Sequence, residues 1–101
     1  MTLTGVAGSF TARHIDPHLG EGEHEHMWRV VAWYPAEPFR DARALKAALG
    51  QLLSPWQGTV LPPELWSGEA LAKAITELLA NCIGADVSRE REGVYAQYRA
   101  P

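Results

Sequence analysis

The chain has 101 residues, of which 47% are hydrophobic and 21% charged, with a formal net charge of -3. This length suits one domain with a thin margin of stability, and the composition is that of an ordinary globular protein. The acidic balance gives no reason to expect nucleic acid, and no apolar run of membrane length or cleavable leader pattern appears, so the expected setting is cytoplasmic, with no membrane partner.

Residues 3 to 14 alternate, with Val6, Gly8, Phe10, Ala12 and His14 on one face. The period predicts a strand, weakened by Gly5 and Gly8. Residues 15 to 23 are turn-rich and acidic and predict a loop between two antiparallel strands. The second strand, about 24 to 34, opens on His24-Glu25-His26. It continues as Met27-Trp28-Arg29-Val30-Val31-Ala32-Trp33-Tyr34, rich in β-branched and aromatic residues, and ends before Pro35 and Pro38.

A helix is predicted from Asp41, a good N-cap. Ala44, Leu45, Ala48, Leu49, Leu52 and Leu53 follow at helical spacing until Ser54-Pro55 stops it. Trp56 to Trp66 is a predicted loop. Ser67 caps a second helix whose Glu69 favours the helix dipole. Its apolar stripe is Leu71, Ile75, Leu78, Leu79 and Cys82, ended by Asn81 and Gly84. Val87 to Glu90 and Val94 to Tyr98 predict two closing strands around Glu92-Gly93. The order β-β-α-α-β-β predicts an α+β domain spanning residues 1 to 101, with two helices packed on one face of an antiparallel sheet. The other face and the sheet edges would need cover, for which a homo-oligomer is one common remedy.

The chemistry-bearing residues cluster at the first two strands. His24 and His26, at i and i+2, point to one face of a strand roughly 7 Å apart. His14 closes the preceding strand and is the natural third ligand of a metal. Three histidines with a vacant fourth position form the pattern of a catalytic zinc site rather than a closed structural one. A single cysteine, Cys82, excludes an internal disulfide and is expected to be buried and inert. Glu21, Glu23 and Glu25 read as a solvated acidic loop, with Glu25 alternating away from the histidines. Trp28, Trp33, Trp56 and Trp66 read as core or interface residues, with Trp56 placed to shape a pocket. A cupin barrel also uses H-x-H, but it is mostly strand and expects a glutamate soon after the pair, where Trp28-Arg29-Val30-Val31 follows.

In this order the motifs resemble the 6-pyruvoyltetrahydropterin synthase and 6-carboxytetrahydropterin synthase family over nearly the whole chain. Phe10-Thr11-Ala12-Arg13-His14 is similar to its F-x-A-x-H, and His24-Glu25-His26 to its H-G-H. Asp41-Ala42-Arg43-Ala44-Leu45-Lys46 resembles D-F-x-x-L-K, and Trp66-Ser67-Gly68-Glu69-Ala70-Leu71-Ala72 resembles P-T-x-E-N-L-A. Glu90 with Ala96-Gln97-Tyr98 falls on E-T-x-x-x-W-A-E-Y. The resemblance implies the tunnel-forming T-fold, hexamers built as two stacked trimers, active sites at subunit interfaces, and zinc on His14, His24 and His26. It also implies that Glu90, or Glu92 if the register slips by two, anchors the N-C-N edge of a pterin-like ring.

The departures from the family bear on its lyase chemistry. Gly20 stands where the family has its catalytic cysteine. Trp56-Gln57-Gly58-Thr59-Val60-Leu61 replaces the stretch that carries the Asp-His dyad. His18, close to the missing cysteine and able to move protons at neutral pH, is the candidate replacement. The expectation is a zinc-binding relative with altered chemistry on a pterin-like or other N-heterocyclic molecule. The alternative is a catalytically inactive member that binds a small molecule or partner around a structural zinc.

Overall fold

A computed structural model describes residues 1–20 and 22–101. Glu21, assigned above to the acidic loop, lies outside the described residues. Strands β1 (Leu3–His14) and β2 (His24–Pro35) form a long antiparallel hairpin, followed by α1 (Ala42–Leu53) and α2 (Gly68–Leu78), then β3 (Gly84–Arg89) and β4 (Val94–Arg99). The sheet is antiparallel with spatial order β1-β2-β3-β4. The fold is therefore α+β, in the order expected.

Alternation decides which face is covered. Val6, Phe10, Ala12, His14, Trp28, Val30, Ala32, Tyr34, Ala85, Val87 and Ala96 are buried on the inner face. Helix α1 packs there against β1, and α2 against β3 and β4. Leu49, Leu53, Leu71 and Ile75 join the strand residues in one contiguous core. The opposite face stays open, with Met27 and Tyr95 more than half exposed.

Both helix starts follow their caps. The Asp41 carboxylate accepts from Arg43 N, and Ser67 Oγ accepts from Ala70 N, satisfying donors that the first turn leaves over. The stripes are narrower than their spacing predicts. Ala44 and Ala48 are exposed, and the covered side of α1 is Leu45, Leu49, Leu52 and Leu53. Leu78 is 62% exposed because α2 ends there. The extended Leu79 cap takes Cys82 out of the helix, and Asn81 has a left-handed φ of 67° in the turn that follows. Cys82 is half-buried, its thiol donating to the Gly84 carbonyl. Ser54-Pro55 does not end the coil outright, since a 3-10 turn continues over Ser54–Trp56.

The third strand begins three residues earlier than expected, at Gly84. There the backbone passes so close to β4 that a Cβ would lie 2.8 Å from the Tyr98 carbonyl oxygen, which only glycine permits. Glu90 leaves the strand and opens a 3-10 turn, Glu90–Glu92, closed by Gly93 at φ 69°.

The outer edge of β1 is covered by its own chain. Gly58 N donates to Thr11 O, Arg13 N to Thr59 O, and Leu61 N to Arg13 O. The Gln57 side-chain oxygen accepts from Thr11 N at 2.9 Å, and Lys46 Nζ reaches Ala7 O at 3.3 Å. The segment expected to be a plain loop after Trp56 is thus a strap along the edge strand, bridged in parallel at Arg13 and Val60.

Candidate functional site

The antiparallel register places His14 directly opposite His24, with His26 opposite Ala12. His14, His24, His26 and Trp28 share the parity of the inner face, so the rings gather at one end of the covered side. Ring centroids lie 4.8 Å apart for His14 and His26, 6.2 Å for His14 and His24, and 6.3 Å for His24 and His26. Trp28 forms the floor, its indole meeting the rings of His14 at 5.2 Å and His26 at 5.7 Å edge-on. The indole is held by Phe10, stacked at 6.3 Å, and by its own N–H donating to Ala12 O at 3.2 Å.

Three hydrogen bonds fix how the imidazoles present themselves. The Nδ1 of His14 contacts the Trp66 carbonyl, which can only accept, so the proton is on Nδ1 and the lone pair on Nε2. The Nδ1 of His26 lies 3.0 Å from Glu92 Oε1, and a carboxylate assigns the same tautomer there. The third bond agrees with it, because Arg89 Nη1 donates to His26 Nε2 at 3.1 Å and a guanidinium has only donors. Partners on Nδ1 of this kind orient metal-binding histidines and raise their basicity.

Burial and charge favour the neutral form of His14. Its pKa is lowered from the usual 6.5, chiefly by burial, with further contributions from the neighbouring His26, Arg89 and His24, against the opposing pull of the Trp66 carbonyl. The His26 hydrogen bond in turn holds the exposed Glu92 carboxyl below its ordinary range.

The predicted site residues divide in two. His14, His24 and His26 come together as expected. His18 sits over the Trp66 ring at 5.5 Å, with its backbone N–H donating to Asp16, and meets the tryptophan rather than the histidines. Glu90 ends on the open side of the sheet. Its carboxylate faces Arg29 at 3.5 Å in a shallow groove shared with Met27 and Ser9. Glu92, two positions on, is the carboxylate that reaches the histidines. Glu25 is exposed, as its alternation implied, and Glu23 faces Arg13 at 3.5 Å. Trp28 is fully buried, whereas Trp33, Trp56 and Trp66 are half-buried.

Sequence reasoning did not single out Arg89 or the Trp66 carbonyl. Arg89 follows Ala85 and Val87 at the same parity, which puts it on the inner face beside Trp28, its guanidinium 5.4 Å from the indole centroid. That parity was available once β3 had been placed. The Trp66 carbonyl carries no side-chain signal at all.

Among the described residues, no three His, Cys, Asp or Glu side chains already stand in a ligating arrangement. The donor set nevertheless suits zinc: three imidazoles, two with Nε2 lone pairs assigned by their partners. What stands against His26 Nε2 in this arrangement is Arg89. No protein-family model matches this chain, and no curated protein matches it. No helix is long and apolar enough to cross a membrane among the described residues.

Proposed function

We propose that the protein binds zinc through His14, His24 and His26, in the manner of the pterin synthases it resembles. Its ligand would be a pterin-like or other N-heterocyclic small molecule. The observation that carries this reading is the shared tautomer of His14 and His26, each held at Nδ1 by an acceptor that orients Nε2. A bound zinc with an open position supplies a Lewis acid for a carbonyl or a water. Trp28 supports the ligand rings from below, Trp66 and Glu92 fix their protons, and burial favours the neutral form of His14 that binds metal.

Gly20 and the strap Gln57–Leu61 stand where the family has its proton carriers, so the lyase reaction of the family is not proposed. His18 remains the candidate proton carrier, and its place on the Trp66 ring sets it beside the element that holds His14. Assembly as a homo-oligomer, a hexamer of two trimers in the T-fold manner, belongs to the same reading. It is supported by the open sheet face with its exposed Met27 and Tyr95. A cytoplasmic setting belongs to it as well.

One observation favours the alternative, an inactive member that binds a small molecule or partner with zinc as a structural ion. Glu90, the expected ring anchor, is paired with Arg29 on the open face and does not share the histidine site within the chain. Metal content per chain, measured by plasma mass spectrometry on untagged protein and on His24→Ala, tests the metal reading. One zinc per chain, lost in the variant, is the expected result. Protein that takes up no zinc even when it is supplied would overturn the proposal. With zinc in place, turnover in a pterin and purine screen separates the enzyme from the inactive binder.

A further inference from the structure

We infer that Arg89 and the metal are alternative occupants of the same space, so that Arg89 sets the affinity of the histidine site. This inference rests on the zinc reading above. The lone pair on His26 Nε2 can serve one partner. It accepts from Arg89 Nη1 at 3.1 Å. A zinc ion on that lone pair would sit about 2.0–2.1 Å from the nitrogen. Along the same direction the two cations would be only on the order of 1 Å apart, which excludes simultaneous occupancy.

Besides its bond to His26 and its covalent position at the end of β3, the guanidinium is held there by the face of Trp28. Its carbon lies 5.4 Å from the Trp28 ring centroid, within cation-π range. Glu92, on the far nitrogen of the same imidazole, brings a negative charge to the cluster and completes an Arg89-His26-Glu92 chain. Zinc entry would break the charge-assisted bond to His26 and turn the guanidinium out of the space between the rings. Removing that competitor should therefore tighten zinc binding. Because a hydrogen bond from a charged donor is worth more than a neutral one, the expected gain is about tenfold or more.

The test is zinc affinity by competition with a chromophoric chelator, for the unaltered protein, Arg89→Met and Arg91→Met. The second variant removes the same charge from an exposed arginine in the adjoining turn. Arg89→Met is expected to bind zinc at least about tenfold more tightly than the other two. Equal affinities for all three, or an equal gain in both variants, would overturn the inference while leaving the metal site standing. Failure of every protein to bind zinc would overturn the metal reading and the inference with it. Should Arg89→Met not fold, the side-chain N–H resonance of Arg89 in the unaltered protein decides. It is expected to shift on saturation with zinc, and an unmoved resonance would overturn the inference.

Discussion

Trp28 links the core to the histidines, and Trp28→Phe should show what that link contributes to stability. The indole is about 1% exposed, and its N–H donates to Ala12 O at 3.2 Å. Phenylalanine keeps an aromatic face for Phe10, His14 and His26 but shortens the ring system and removes the donor. Losing two or three buried ring carbons, at about 0.8 kcal/mol for each methylene-sized group, costs about 2 kcal/mol. Losing the hydrogen bond adds about 1 kcal/mol. A destabilisation of about 3 kcal/mol is a large part of the roughly 5–15 kcal/mol that a chain of this size commands. It corresponds to a melting temperature lower by about 12–24 °C. Urea unfolding followed by far-UV circular dichroism would read it as a shifted midpoint at unchanged slope. Trp66→Phe is the control, because the half-buried Trp66 holds His14 through its backbone carbonyl, which the substitution keeps. A loss below about 1 kcal/mol for Trp28→Phe, or an equal loss in the control, would refute the assignment of Trp28 as the buried floor.

Two further outcomes are open to direct measurement. Gly84→Ala should destabilise by about 1–3 kcal/mol, because the new Cβ meets the Tyr98 carbonyl and the Arg99 side chain, whereas Gly22→Ala, with nothing within 4 Å, should be near neutral in the same titration. In metal-free protein, stability should rise with pH up to about 6.5, the usual histidine value. His14 has its folded pKa below that value, so the unfolded chain binds the extra proton in the interval between the two. The neutral form's contribution is full above the unfolded pKa and is lost as pH falls toward the folded one. Urea midpoints from about pH 5 to 8 for the unaltered protein and His14→Gln check this, and a slope that survives the substitution would sink the explanation.

The element order and the histidine cluster were legible because both rest on short-range periodicity. Alternation from Val6 to His14 and from His24 to Tyr34 fixes which side chains share a face, and the hairpin register then brings His14 opposite His24. The helix starts were legible from Asp41 and Ser67, whose side chains cap backbone donors close in sequence. What sequence pattern left out depends on contacts between distant segments. The exposure of Ala44 and Ala48 is set by how α1 lies over the sheet, and that of Leu78 by where α2 ends, neither of which helical spacing encodes. The early start of β3 depends on the close approach at Gly84. Glu92 rather than Glu90 reaches the histidines because the turn after Arg89 reverses the chain, a shift of two positions that strand alternation alone could not resolve.

The strap beside β1 bears on symmetry. A ring of identical subunits joined through their sheets is a head-to-tail arrangement, in which every copy offers two different complementary edges. The β1 edge is already engaged from Thr11 to Arg13, with Lys46 reaching across at Ala7. Among the described residues, the strap bonds leave the part of β1 before Thr11, away from the histidines, for a neighbouring strand entering from that side. The strap thus confines cyclic closure through β1 to a staggered joint near the amino terminus. An isologous pair formed through β4 makes no demand on β1, and so escapes the constraint altogether.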